Sequence, residues 1–129
     1  MVRLDNLQDI FLIALGAALG ANARFIIYQK LERIKLNKNN IILLINTFSS
    51  FFLGIFLPFT SHISSLNYSY QLGLFFSIGL LGSLSTFSSF IYDLYHLFIQ
   101  FKFFRAFRYF IISPVLGILS FAFGFSLSN

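Results

Sequence analysis

Few residues in this chain can do chemistry, and most of them fall in one stretch. Residues 79–90 (GLLGSLSTFSSF) carry two glycines and five hydroxyl residues within twelve positions, ending on Phe87 and Phe90. Glycine loosens a helix, and hydroxyls compete for backbone partners. In lipid, non-helical backbone is tolerated only where protein or a water-filled cavity covers it. A break here therefore points to an ion or substrate site near the membrane midplane.

Four further groups stand out. Asn46 lies inside an apolar run and is followed by Thr47, Ser49 and Ser50. A buried amide costs free energy without partners. It serves either as glue between helices or as an NH2 donor facing an anion. Arg24, about one turn from the end of the first apolar run, either snorkels to the interface or places positive charge at a vestibule that anions enter. Asp93 is the sole acid after Glu32; an intramembrane acid is either functional or paired with a polar or basic neighbour near the interface. Tyr109, Ser113, Gly117 and Ser120 share a helical face, as packing glue or as a polar track. His62 reads as a surface loop residue. There is no cysteine, no His/Cys/acid cluster for metal ligation and no base at readable spacing from a nucleophile, which argues against an enzyme.

The elements that position these groups are membrane spans. The chain has 129 residues, 57% of them hydrophobic and 10% charged, with a mean hydropathy of +0.82. A soluble domain carries about a quarter charged residues. The expected fold is a single all-α integral membrane domain over 1–129. From Asn39 to Tyr92 there is no Lys, Arg, Asp or Glu across 54 positions, room for two spans of about 20 residues. The reading gives spans at about 8–28, 40–59, 70–101 and 109–127. The third is too long for one straight crossing, which supports a break near Gly82–Thr86. Gly16 and Gly20 form a small-residue face on the first span. That span lacks a preceding basic run and reads as retained rather than as a signal peptide.

The net charge of +5 does not mark a nucleic-acid binder, because the basic residues flank the apolar spans. Lys30, Arg33, Lys35, Lys38, Lys102, Arg105 and Arg108 fall in the first and third connections, against Arg3 alone on the other side. The positive-inside rule then places those connections in the cytoplasm and both termini outside it.

Three blocks carry a resemblance: Gly16-x-x-x-Gly20-Ala21-x-x-Arg24-Phe25, then Asn46-Thr47-Phe48, then Gly79-x-x-Gly82-x-x-Ser85-Thr86-Phe87-Ser88-Ser89-Phe90-x-x-Asp93. In these motifs, their order and the span count, the chain resembles the CrcB/Fluc fluoride channels over nearly its whole length. The resemblance implies an antiparallel dimer in the inner (plasma) membrane, with two narrow pores that let fluoride leave the cytoplasm and so lower its toxicity. It implies a central structural sodium ion held by main-chain carbonyls, here those of Gly82 and Ser85. It makes Asn46, Phe87, Phe90, Tyr109 and Ser113 pore-lining, Arg24 a vestibule residue, and Asp93 the replacement for a usual glutamate. Ser83 departs from a usual Gly-Gly pair, and Gly117 stands where a hydroxyl is often found. The charge bias also departs from a chain that inserts both ways, and suggests an antiparallel partner subunit of opposite bias. The rival readings are a non-conducting assembly subunit and a small four-helix proton-coupled exporter. The exporter needs an ionisable group in its pocket, and the first two spans have no carboxylate in their cores.

Overall fold

The computed structural model describes residues 6–129, so Arg3 lies outside the described residues. The described residues form helices and short connections without a strand. Helix α1 is Leu7–Arg33 and α2 is Lys38–His62. The third rod starts as α-helix over Ser69–Gly73, widens to a π-helix over Leu74–Leu81, and closes with a turn over Gly82–Leu84; we call residues 69–84 α3. Helix α4 is Phe87–Ile99 and α5 is Phe103–Ser128. Among the described residues four rods are long and apolar enough to cross a membrane: α1, α2, the α3–α4 pair and α5. At 1.5 Å per residue a rod of 27 residues is about 40 Å long, beyond the ~30 Å hydrocarbon core. The helices therefore project past the apolar slab.

That excess length corrects one expectation. The second basic connection is not a loop. Only Lys102 lies between helices, while Arg105 and Arg108 sit inside α5, which begins at Phe103 rather than near Tyr109. Likewise α1 runs on through Lys30 to Arg33. Lys and Arg are good helix formers, so charge ends the membrane-embedded segment without ending the helix.

Two glycine seams hold the rods together. A Cβ on Gly16 would collide with the Phe75 carbonyl oxygen, and one on Gly20 with the Leu80 carbonyl oxygen and Ser83 Oγ. One on Gly79 would lie 2.8 Å from the Ile13 carbonyl oxygen. Helices α1 and α3 thus touch backbone to backbone, as small residues allow in lipid. A second seam joins α2 to α5: a Cβ on Gly54 would strike the Phe121 carbonyl, and one on Gly124 the Phe51 carbonyl. Ser128 Oγ donates to the Ile55 carbonyl at 2.9 Å and ties down the end of α5. At the opposite end a small core of Phe90, Leu97, Ala106 and Tyr109, flanked by Leu43 and Leu94, joins α4 and α5 to α2.

Candidate functional site: the break in the third rod

Between α3 and α4 the chain is extended, with Ser85 at φ −88°, ψ 123° and Thr86 at φ −126°, ψ 131°. The break falls inside the expected interval, at its C-terminal end. Gly82 is still helical, at φ −63°, ψ −35°. A helix end leaves its last carbonyls without intrahelical donors. The Ser85 amide donates back to the Leu81 carbonyl at 3.1 Å, but the ladder stops there. Among the described residues no three His, Cys, Asp or Glu side chains gather.

Two long-range side-chain bonds pin the extended residues. Ser85 Oγ donates to Asn46 Oδ1 at 3.2 Å, which connects the break to α2. Arg24 Nη1 donates to Thr86 Oγ1, which connects it to α1. Thr86 Oγ1 in turn donates to Ser89 Oγ at 3.1 Å across the first turn of α4. Asn46, Arg24, Thr86 and Ser89, with Tyr28 and Ile45, line a cavity of about 200 Å³. By contrast, Thr47 and Ser49 return their hydroxyls to the carbonyls of Leu43 and Ile45 at 2.7 Å. Such back-bonding satisfies them within their own helix and leaves Asn46 as the amide facing the break.

The two phenylalanines diverge. Phe90 is 7% exposed, and its ring lies 5.1 Å from that of Tyr109 at 37°. Phe87 is 74% exposed, 5.9 Å from Phe90 at 42°. Phe87, Phe90 and Tyr109 thus form a continuous aromatic file, one end inside the chain and the other on its surface. Tyr109 is buried, and its hydroxyl has no partner. Ser113 lies one turn further along α5 and is half-buried. Gly82 is exposed and Ser85 half-buried, so the break opens on the chain's outer face.

Asp93 and Tyr109 lie beside a second, larger cavity of about 790 Å³ at the basic end, which also takes in Lys38, His96 and Arg105. Asp93 is buried and its Oδ2 has no partner. The structure thus brings Asn46 to the break and Tyr109 to the phenylalanines. It couples Arg24 to Thr86, a contact across 62 positions that no local spacing reveals. The Ser85 bond to Asn46 was equally hidden, although the clustered hydroxyls of residues 83–89 were its signal.

Fold and site together define a small multi-pass membrane protein whose third span is interrupted beside an aromatic file. The chain belongs to the CrcB-like, camphor-resistance (CrcB) family, which it matches over residues 11–125. It is 54% identical over 123 residues to the fluoride-specific ion channel FluC 2 of Prochlorococcus marinus strain NATL2A, covering 95% of this chain and 99% of that one. It is 38% identical over 82 residues to a protein of the same name from strain SARG, covering 62% and 61% respectively.

Proposed function

We propose that this chain is a subunit of a fluoride-specific channel that lets fluoride leave the cytoplasm and so limits its toxicity. The single observation that carries the reading is the aromatic file of Phe87, Phe90 and Tyr109, which begins where the third rod breaks. Fluoride is small and strongly hydrated, so a pore must replace lost water contacts. Phe ring edges are electropositive and meet an anion without holding it as a full cation would. The Asn46 amide and the hydroxyls of Tyr109 and Ser113 add donors. Conduction needs binding firm enough to admit the ion and weak enough to release it, and neutral donors meet both demands. Arg24 supplies positive charge beside the path. Relatives named as fluoride channels support the same reading, and membership of their family favours a channel over an enzyme.

The working unit in this proposal is an antiparallel dimer in the cell's inner membrane. Its two subunits meet where Phe87 and the break are exposed. The carbonyls of Gly82 and Ser85 would hold a structural sodium ion there, and a bound cation would offset the burial of main-chain oxygens. The excess of basic residues at one end favours a partner subunit of opposite charge bias over a second copy inserted upside down.

Fluoride efflux from liposomes tests the proposal, using this chain alone and then with an oppositely biased relative. Fluoride efflux without chloride efflux, lost in Phe87→Ile or Phe90→Ile, is the expected result. Conduction only with the second chain supports the mixed dimer, and efficient conduction by this chain alone refutes it. No flux in either case from folded protein replaces the channel with a non-conducting assembly subunit.

A further inference from the structure

Helix α5 carries one glycine that packing does not require. Gly124 on α5 and Gly54 on α2 sit where a Cβ would strike a backbone carbonyl of the other helix. At Gly117 there is room for a side chain. Among the described residues outside α5, the one atom within 4 Å of a Cβ built there is Ser50 Oγ on α2, at 3.5 Å, an ordinary van der Waals distance. Ser50 therefore presents its hydroxyl to the space that Gly117 leaves. Thr47 and Ser49 return their hydroxyls to carbonyls of α2, whereas Ser50 makes no hydrogen bond among the described residues. A hydroxyl without a partner costs free energy away from water, and it keeps its donor available to a ligand.

The position of that hydroxyl gives it a task. Tyr109, Ser113, Gly117 and Ser120 lie at helical spacing on one face of α5. The row opens on Tyr109, the inner end of the aromatic file, which is 8% exposed and whose hydroxyl has no partner. Ser113 and Ser120 are half-buried, and among the described residues neither makes a side-chain hydrogen bond. Gly117 interrupts this row. Ser113 and Ser120 are seven residues apart, about 10 Å along a helix, with no donor from α5 between them. An anion that has given up water contacts needs successive weak sites along such a path. Asn46 lies one turn before Ser50 on the same face of α2. We propose that Ser50 is a fluoride-coordinating residue, whose hydroxyl reaches into the space at Gly117 and supplies the donor that α5 lacks between Ser113 and Ser120. The inference rests on the channel reading above and adds to it a residue of α2 that spacing within one helix does not reveal.

The test is fluoride efflux from liposomes holding the full chain, alone or with the oppositely biased relative, whichever conducts. Ser50→Ala should lower efflux about tenfold, the loss of one hydrogen bond to a charged group. It should leave the unfolding midpoint unchanged, because the hydroxyl bonds nothing within the chain. Gly117→Ser in the Ser50→Ala background offers the hydroxyl from the opposite helix and should restore most of the efflux. A packing role for Ser50 would not be restored in this way. Undiminished efflux in Ser50→Ala, while Phe87→Ile still abolishes it, overturns the inference and leaves the channel reading standing. So does a folded Ser50→Ala/Gly117→Ser variant that conducts no better than Ser50→Ala. If that double variant does not fold, Ser50→Thr decides: efflux near wild type supports the hydroxyl, and efflux as low as in Ser50→Ala refutes it. No fluoride efflux from the wild type in either composition refutes the channel reading itself, and the inference with it.

Discussion

Substituting alanine at two glycines separates packing inside the chain from contacts outside it. Gly16→Ala places a Cβ against the Phe75 carbonyl oxygen, 3.0 Å from the Leu80 nitrogen and 3.1 Å from the Gly79 Cα. All three are backbone atoms, so no side chain can swing away and α1 must shift bodily. Overpacking of this kind costs about 1–3 kcal/mol, and rigid neighbours favour the upper end. Alanine returns about 1 kcal/mol of helix propensity. The net loss is then about 2 kcal/mol, close to a thirtyfold fall in the folded-to-unfolded ratio. Gly82→Ala meets nothing nearer than the Ser77 carbonyl oxygen at 3.7 Å, at ordinary helical dihedrals. For the single chain it should be neutral or stabilising by up to about 1 kcal/mol. The assay is unfolding in mixed micelles followed by circular dichroism, repeated over a range of protein concentrations so that loss of association is read separately. Wild-type stability in Gly16→Ala would refute the seam as a structural contact. A concentration-independent loss in Gly82→Ala as large as that in Gly16→Ala would refute the assignment of Gly82 to the outer face. Intact folding of Gly82→Ala with weakened dimerisation or fluoride flux is the expected pattern.

Phe90→Ala should destabilise the fold by about 3 kcal/mol in the same unfolding assay, because it empties a buried site against Tyr109. Phe87→Ile should leave stability nearly unchanged, since its ring is largely exposed, yet reduce fluoride efflux. Ser85→Ala removes the bond to Asn46 at a cost of about 1 kcal/mol in unfolding free energy, while Asn46→Asp should block efflux by putting negative charge beside an anion's path. A double-mutant cycle of Arg24→Gln and Thr86→Val should return a coupling of about 1.5 kcal/mol, and a value near zero would show that this hydrogen bond does not hold the break. Lys35→Gly should raise the unfolding free energy by about 1 kcal/mol, since Lys35 closes α1 at φ 61°, where glycine is unstrained.

Much of this architecture was legible because lipid is a severe solvent. The charge-free run from Asn39 to Tyr92 left room for two spans, and the glycines and hydroxyls of residues 79–90 pointed to an interruption. The extended backbone falls at Ser85 and Thr86, within that interval. Hydropathy located the membrane but not the helix ends. Nothing in Phe103–Arg108 separates a basic loop from a basic helical turn, since Lys and Arg suit both. The π-helix over Leu74–Leu81 was also illegible, because an apolar run reads alike at either pitch. Asn46 had two open roles. Its bond to Ser85 and the Arg24–Thr86 bond depend on how distant rods dock, which side-chain periodicity within one rod does not encode.

The π-helix has a bearing on which length changes this chain can absorb. Its hydrogen bonds reach one residue further than those of an α-helix, so Leu74–Leu81 takes up a residue that tighter winding would not need. Each residue of an α-helix turns the chain by about 100°. Deleting one residue from α2 between Asn46 and Gly54 would therefore swing the amide away from Ser85 or the glycine away from α5. Deleting one of Leu74 to Ser77 can instead be taken up by tightening the coil. Gly79 would then still face α1, and Phe87 would keep its outward aspect. Within the membrane, the wide turn of the third rod is where a one-codon loss would leave the molecule in phase.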